Sequence, residues 1–361
     1  MKKYQTILFF FLLITTKLFA QEPEPANPIL EQQLESLTEK QDAETKDDSY
    51  WQQLDEFQKN KINLNNASED DLKELKMLTD LQINSFLQYR KLFGMFLNVY
   101  EIQAIPNWDI ETIKQIFPFI KVVDNTSLMA NFNKRLEGGE HYFIIREGEQ
   151  IEKSKGYETP TNPTSSHYLG SRQALFFRYK YDYKNLLQYG LLGDKDPGEQ
   201  FFKGAQKDGF DFYSFHLFAK NMGIIKSLAV GDFTVNMGQG LMQWQTIAFT
   251  KSAEVMAVTR QSSILRPYNS AGEFNFHRGV GITLQKGKFE TTAFISHKKI
   301  SANAINDTSS RDDVVSSFET SGYHRTAAEI ADKNDLTQTA FGGNISFINN
   351  NYKVGINAVQ T

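Results

Sequence analysis

Two hydrophobic periods divide this chain. From Ile62 to Ile120 apolar residues recur every three or four positions, and from His141 onward they alternate at every second position. In the first stretch Leu72, Leu75 and Leu78 form the stripe of a short amphipathic helix. Leu81, Phe86, Leu87 and Tyr89 mark a second helix running to Phe93, closed by Gly94. Asn66 or Ser68 is the expected N-cap of the first, and Glu69, Asp70 and Asp71 suit the positive end of its dipole. Val99, Ile102 and Ile105 predict a third, short helix, followed by a turn at Pro106–Asp109. Ile110, Ile113, Ile116 and Phe117 predict a fourth, stopped by Pro118. Two helix–turn–helix units of this size can bury one shared core.

The alternating stretch predicts nine strands: His141–Gly148, Gln173–Lys184, Leu186–Gly193, Phe210–Lys220, Ile225–Met237, Val280–Gln285, Phe289–Ser296, Thr339–Ile348 and Tyr352–Thr361. Gln173–Lys184 is the clearest, with Leu175, Phe177, Tyr179, Tyr181 and Tyr183 on one face and Arg178, Lys180, Asp182 and Lys184 on the other. An aromatic face backed by a charged one suits the lipid and lumen sides of a transmembrane β-barrel, although a soluble β-sandwich also alternates. Gly198–Gly209 and Ser301–Asn334 are long and polar, as outer loops are. Met237–His277, with Gly238–Leu241 and Arg266–Asn269, is expected to fold within the lumen, over one mouth, or as an ordinary loop. An odd strand number predicts an incomplete barrel, because bacterial single-chain barrels are usually even-numbered.

Composition sharpens this picture. Phe occurs 29 times and Tyr 15 times in 361 residues, an aromatic load that amphipathic strands explain. The chain has no cysteine, which excludes disulfides, thiol catalysis and a lipid-anchored cysteine. Its net charge of −4 gives no general affinity for polyanions. Met1–Ala20 carries Lys2 and Lys3, an apolar run from Ile7 to Ile14 and a small residue at Ala20, the pattern of a secretory signal peptide. Gln21–Asn60 is an acidic, Pro-bearing tether in which Trp51, Leu54 and Phe57 are spaced to pack a helix onto the hairpins. The expected layout is therefore signal peptide 1–20, tether 21–60, hairpin domain 61–122, linker 123–140 and barrel portion 141–361. In fold class this is α+β multidomain, a small all-α domain followed by an antiparallel transmembrane β-barrel.

The segments N-L-N-N-A-S-E-D-D-L, Gln88–Arg90, Phe93–Phe96 and Val99–Ile105 make Ile62–Ile120 resemble the tandem helix-hairpin-helix domain of the ComEA type. That resemblance implies a nucleic-acid site at the hairpin turns, where DNA-binding members carry Gly-h-Gly and cradle a phosphate with backbone N–H groups. Here the glycine positions are Met77 and Thr79 in the first turn and Asn107 and Asp109 in the second, with Lys76, Arg90 and Lys91 as the nearby cations. The domain is net acidic, whereas phosphate binding needs a basic face. With G-D-F-T-V-N-M-G-Q-G-L and G-Y-H-R-T-A-A-E-I, the order of segments is similar to that of helix-hairpin-helix outer-membrane proteins of Bacteroidetes. The resemblance implies an outer-membrane address with the hairpin domain in the periplasm. The expected partners are outer-membrane lipid and a periplasmic or envelope protein, with duplex DNA as the alternative.

Enzyme signatures are sparse. Six histidines lack metal-ligand spacing, and no nucleophile elbow or phosphate-binding loop is present, so neither metal nor cofactor is expected. His324, Arg325 and Glu329 form the densest polar cluster beyond the tether. An outer-loop ion pair is the plain reading of that cluster, and a hydrolase at the barrel rim is the other. The reading favoured by the sequence is a non-enzymatic outer-membrane barrel whose hairpin domain docks a partner or plugs the barrel.

Overall fold

A computed structural model describes residue 54 and residues 57–123, 132–158, 166–245, 262–305, 314–349 and 352–361. The expected signal peptide, nearly all of the tether and residues 124–131 of the linker lie outside these residues. The chain is a mixed α+β protein built on one large antiparallel sheet.

The helical module follows its sequence closely. α1 (Glu69–Glu74) starts at Ser68, whose hydroxyl accepts from Asp71 N–H while the Asp71 carboxylate accepts from Ser68 N–H. α2 (Asp80–Phe93) starts at Thr79 with the same reciprocal arrangement to Gln82, and ends at Gly94, φ 90°. The third helix, Val99–Ala104, is wound as 3-10, and α3 (Ile110–Ile116) runs into a 3-10 turn, Phe117–Phe119, with Pro118 inside it. Leu64, Leu72, Leu75, Ile83, Phe86, Ile102 and Ile116 are fully buried, and Phe86 stacks between Phe96 and Trp108. Leu54 and Phe57 of the tether are buried too, as their spacing predicts. Two short strands that the sequence did not signal, β1 (Ile62–Asn63) and β2 (Ile120–Lys121), pair in parallel and tie the ends of the module together.

The sheet is a meander of nine strands in the order β3 (Glu140–Glu149), β4 (Gln173–Tyr183), β5 (Leu187–Lys195), β6 (Phe212–Met222), β7 (Ile225–Val235), β9 (His277–Lys286), β10 (Phe289–Ile300), β13 (Leu336–Ile348) and β14 (Lys353–Gln360). All nine expected strands are present, within a few residues of their predicted ends. The sheet is not closed as a barrel: among the described residues β3 pairs only with β4 and β14 only with β13. β8 (Leu265–Pro267) joins β7 where β6 diverges from it. Gly231 sits at that divergence with φ 88°, and a Cβ there would fall 2.3 Å from the Phe215 carbonyl oxygen. The stretch expected as an irregular loop at Ser301–Asn334 instead folds into a hairpin, β11 (Ala302–Ile305) with β12 (Val314–Phe318), and a helical turn, α5 (Ala327–Ala331).

The two faces of the sheet differ: one carries an outward apolar row, the other a polar row beside a buried cluster of Phe218, Ala229, Phe294 and Ala340. Register places His141, Tyr181, Tyr189, Leu217, Val230, Val280, Ile295 and Phe341 side by side in one row across eight strands. On the other face Lys220, Ser227, Thr283, Thr292, Asn344 and Asn357 form a polar row. Along β10 the polar Glu290, Thr292, Ser296 and Lys298 are buried together with Phe294 and Ile300, while Phe289 and Ile295 on the opposite face are 58% and 57% exposed. The end with the short turns is covered on the apolar side by α4 (Phe132–Glu137), where Tyr181 donates its hydroxyl to the Arg135 carbonyl.

Candidate functional site

Two places gather functional groups, one at the short-turn end of the sheet and one among the long loops. At the first, α1 lays its acidic turn against the polar face. Asp70 lies 2.7 Å from Lys226, which is also paired with Glu290 at 2.5 Å. Glu74 lies 2.8 Å and Asp71 3.4 Å from Lys220, and Asn185 in the β4–β5 turn donates to both carboxylates. Burial alone would raise the Asp70 carboxyl, but the Lys226 ammonium overrides it and holds that carboxyl at about 2. The acidic first turn of α1, read from sequence as helix-dipole chemistry, therefore also supplies the contact surface between module and sheet.

The predicted nucleic-acid residues are arranged around the adjoining hairpin turns. Lys76 takes a left-handed conformation (φ 54°) after α1, beside the half-buried Met77. Thr79 is the N-cap of α2, and its N–H donates to Gln82 Oε1. Asn107 (φ 66°) donates its side-chain amide to Ser85 and accepts from Gln82 Nε2 through its carbonyl. Asp109 caps α3, and hydrogen bonds from the Thr112 side chain and N–H lower its pKa. Arg90 turns inward, donating to the Leu64 carbonyl at 2.6 Å and lying over the Phe86 ring, while Lys91 is exposed. The two turns thus come together, but the Thr79 and Thr112 N–H groups already have side-chain acceptors.

The second place is a buried polar cluster centred on His324. Asp211, just before β6, accepts from His324 Nδ1 at 2.6 Å through Oδ2 and binds Lys333 at 2.8 Å through Oδ1, which also takes Gln206 Nε2. Glu199, from the β5–β6 loop, accepts the His324 backbone N–H at 2.9 Å and the Asp196 N–H at 2.7 Å. Ser301, directly after β10, lies 3.1 Å from His324 Nε2 and also accepts the Asn334 N–H at 3.2 Å. Glu273 approaches His324 to 4.0 Å. Burial and the Asp211 charge push Glu199 up to about 8, and burial with the charges of Asp211 and Glu199 raises Glu273 as well.

The ion pair read from G-Y-H-R-T-A-A-E-I is present, between Arg325 and Glu329, and it leaves His324 to other partners. Glu329 does not meet His324; it caps α5 through Thr326 and pairs with Arg325 at 3.0 Å. The partners of His324 come from 23 and 113 residues away, and no local spacing signals them. Glu199, Asp211 and His324 each place one donor atom within 4.8 Å of the others, so three residues with no metal-motif spacing could together hold a cation. No protein-family model, no curated protein and no solved structure matches this chain.

Proposed function

We propose that the sheet is part of the wall of an outer-membrane β-barrel, with its apolar face against lipid, and that the hairpin module plugs its polar side from the periplasm. The observation that carries this reading is the inversion of the faces. Phe143, Ile145, Ile295, Phe341, Ile345, Val354 and Ile356 are all at least half exposed, while Thr292, Asn344 and Ser346 behind them are buried. In water these large side chains would stand unshielded; against hydrocarbon the arrangement is favourable. The unpaired edges of β3 and β14 support closure by further strands, since lipid offers their N–H and C=O groups no partners. The ion pairs of α1 with Lys220 and Lys226 support a plug rather than a freely tethered domain. Outward-facing hydrophobics on the module, among them Phe93, Met95 and Leu97, leave it a surface for an envelope protein partner.

The absence of cysteine makes a direct test simple. Single cysteines at Ile295, Phe341 and Ile345, spin-labelled in proteoliposomes, should be accessible to oxygen and shielded from a water-soluble nickel relaxant. Labels at Thr292 and Asn344 should not be in contact with lipid. Water-like accessibility on the apolar face would sink the proposal.

A further inference from the structure

We propose that Ser301, His324 and Asp211 form a nucleophile–base–acid relay that hydrolyses carboxylic esters with apolar acyl groups at the loop end of the sheet. The proposal rests on a geometry that is complete in its parts. Asp211 Oδ2 lies 2.6 Å from His324 Nδ1, which fixes the tautomer with the proton on Nδ1. Nε2 is thereby left as an acceptor, and it faces the Ser301 hydroxyl at 3.1 Å. A hydroxyl within reach of a base that is itself oriented by a carboxylate is the signature of an activated nucleophile. Lys333, on the far oxygen of Asp211, holds that carboxylate in place. Asp211 and His324 are buried, whereas Ser301 is part-exposed and can meet a substrate.

The surroundings indicate the substrate class. Ala302, the next residue, pairs directly with Phe318, which is 51% exposed and packs toward Phe274. An acyl chain attached to Ser301 would lie along these rings. The Asn334 N–H, already aimed at Ser301 Oγ, is the donor available to the oxygen that gains charge.

The chemistry closes with water as the only co-reactant. Ser301 Oγ bonds to the ester carbonyl carbon as its proton passes to His324 Nε2, and the carbonyl π pair moves onto oxygen. Collapse of the tetrahedral adduct breaks the bond to the alkoxy group, which leaves with the Nε2 proton. Water, deprotonated by Nε2, then attacks the acyl–Ser301 ester, releasing the carboxylic acid and returning the proton to Ser301.

The test uses the full chain in detergent or proteoliposomes with a fluorophosphonate probe and a p-nitrophenyl ester series. We expect a covalent adduct mapped by mass spectrometry to Ser301, and hydrolysis that rises from acetate to longer acyl groups. S301A should lose the adduct, H324Q and D211N should slow turnover by about 10³-fold or more, and H167Q, at an exposed loop histidine, should change nothing. A folded wild-type chain that leaves Ser301 unlabelled overturns the proposal. So does chelator-sensitive hydrolysis that S301A retains, which would transfer the chemistry to a cation held by Glu199, Asp211 and His324.

Discussion

Glu199 shows how one buried side chain ties stability to pH. Its carboxyl ordinarily titrates at 4.5, and in the folded chain burial and the Asp211 charge raise it to about 8. Between those values the folded protein holds a proton that the unfolded chain has released. The stability from this group is full below the unfolded value and is lost as pH rises toward the folded one. Glu273 is shifted in the same direction. Thermal unfolding followed by circular dichroism from pH 5 to 9 should therefore show stability falling with pH, and Glu199→Gln should flatten the slope. A wild-type curve that rises over this window would contradict the assignment. Asp70 has the opposite sign, since its stabilisation is present at neutral pH and is lost only as pH falls through about 2.

At the scale of elements, α1 is held to the sheet by carboxylates and ammonium groups withdrawn from water. The Glu74 and Lys220 side chains are 5% and 9% exposed. Removing Glu74 leaves the buried Lys220 only the longer Asp71 contact, so Glu74→Leu should cost about 3 kcal/mol, whereas adding Lys220→Met should recover most of that loss. Urea unfolding of the four members of this cycle measures the coupling. The hairpin turns carry a second prediction. Thr79 and Thr112 N–H groups already donate to Gln82 and Asp109, and acidic residues outnumber basic ones across the module. Fluorescence anisotropy of the full chain with duplex DNA at low salt should show no binding that Lys76, Arg90 or Lys91 substitutions reduce. Tight binding that weakens steeply with salt would restore the nucleic-acid reading.

For the whole molecule, the decisive property is which face of the sheet meets which solvent. Ile345→Lys on the apolar face should cost roughly 2–4 kcal/mol if it lies near the bilayer midplane, whereas Asn344→Lys, one residue away on the polar face, should be tolerated far better. Folding yield into lipid vesicles, read by heat-modifiable gel mobility, separates the two. Equal yields would argue for a sheet with water on both sides.

The sequence determined the elements and their faces because period and capping are local. Alternation in Gln173–Lys184 and its neighbours predicted all nine strands of the meander, and Ser68 and Gly94 marked helix ends through backbone groups only a few residues away. It did not determine the parallel pairing of Ile62 with Ile120, the ion pairs of Asp70 and Glu74 with the sheet, or the folding of the long loops. Nor did it place Ser301, Asp211 and Glu199 around His324. Those contacts join residues distant along the chain, and their energy exists only once the strands fix a register and bring the loops to one end. Local periodicity fixes which way a side chain points; only the tertiary fold decides what it meets.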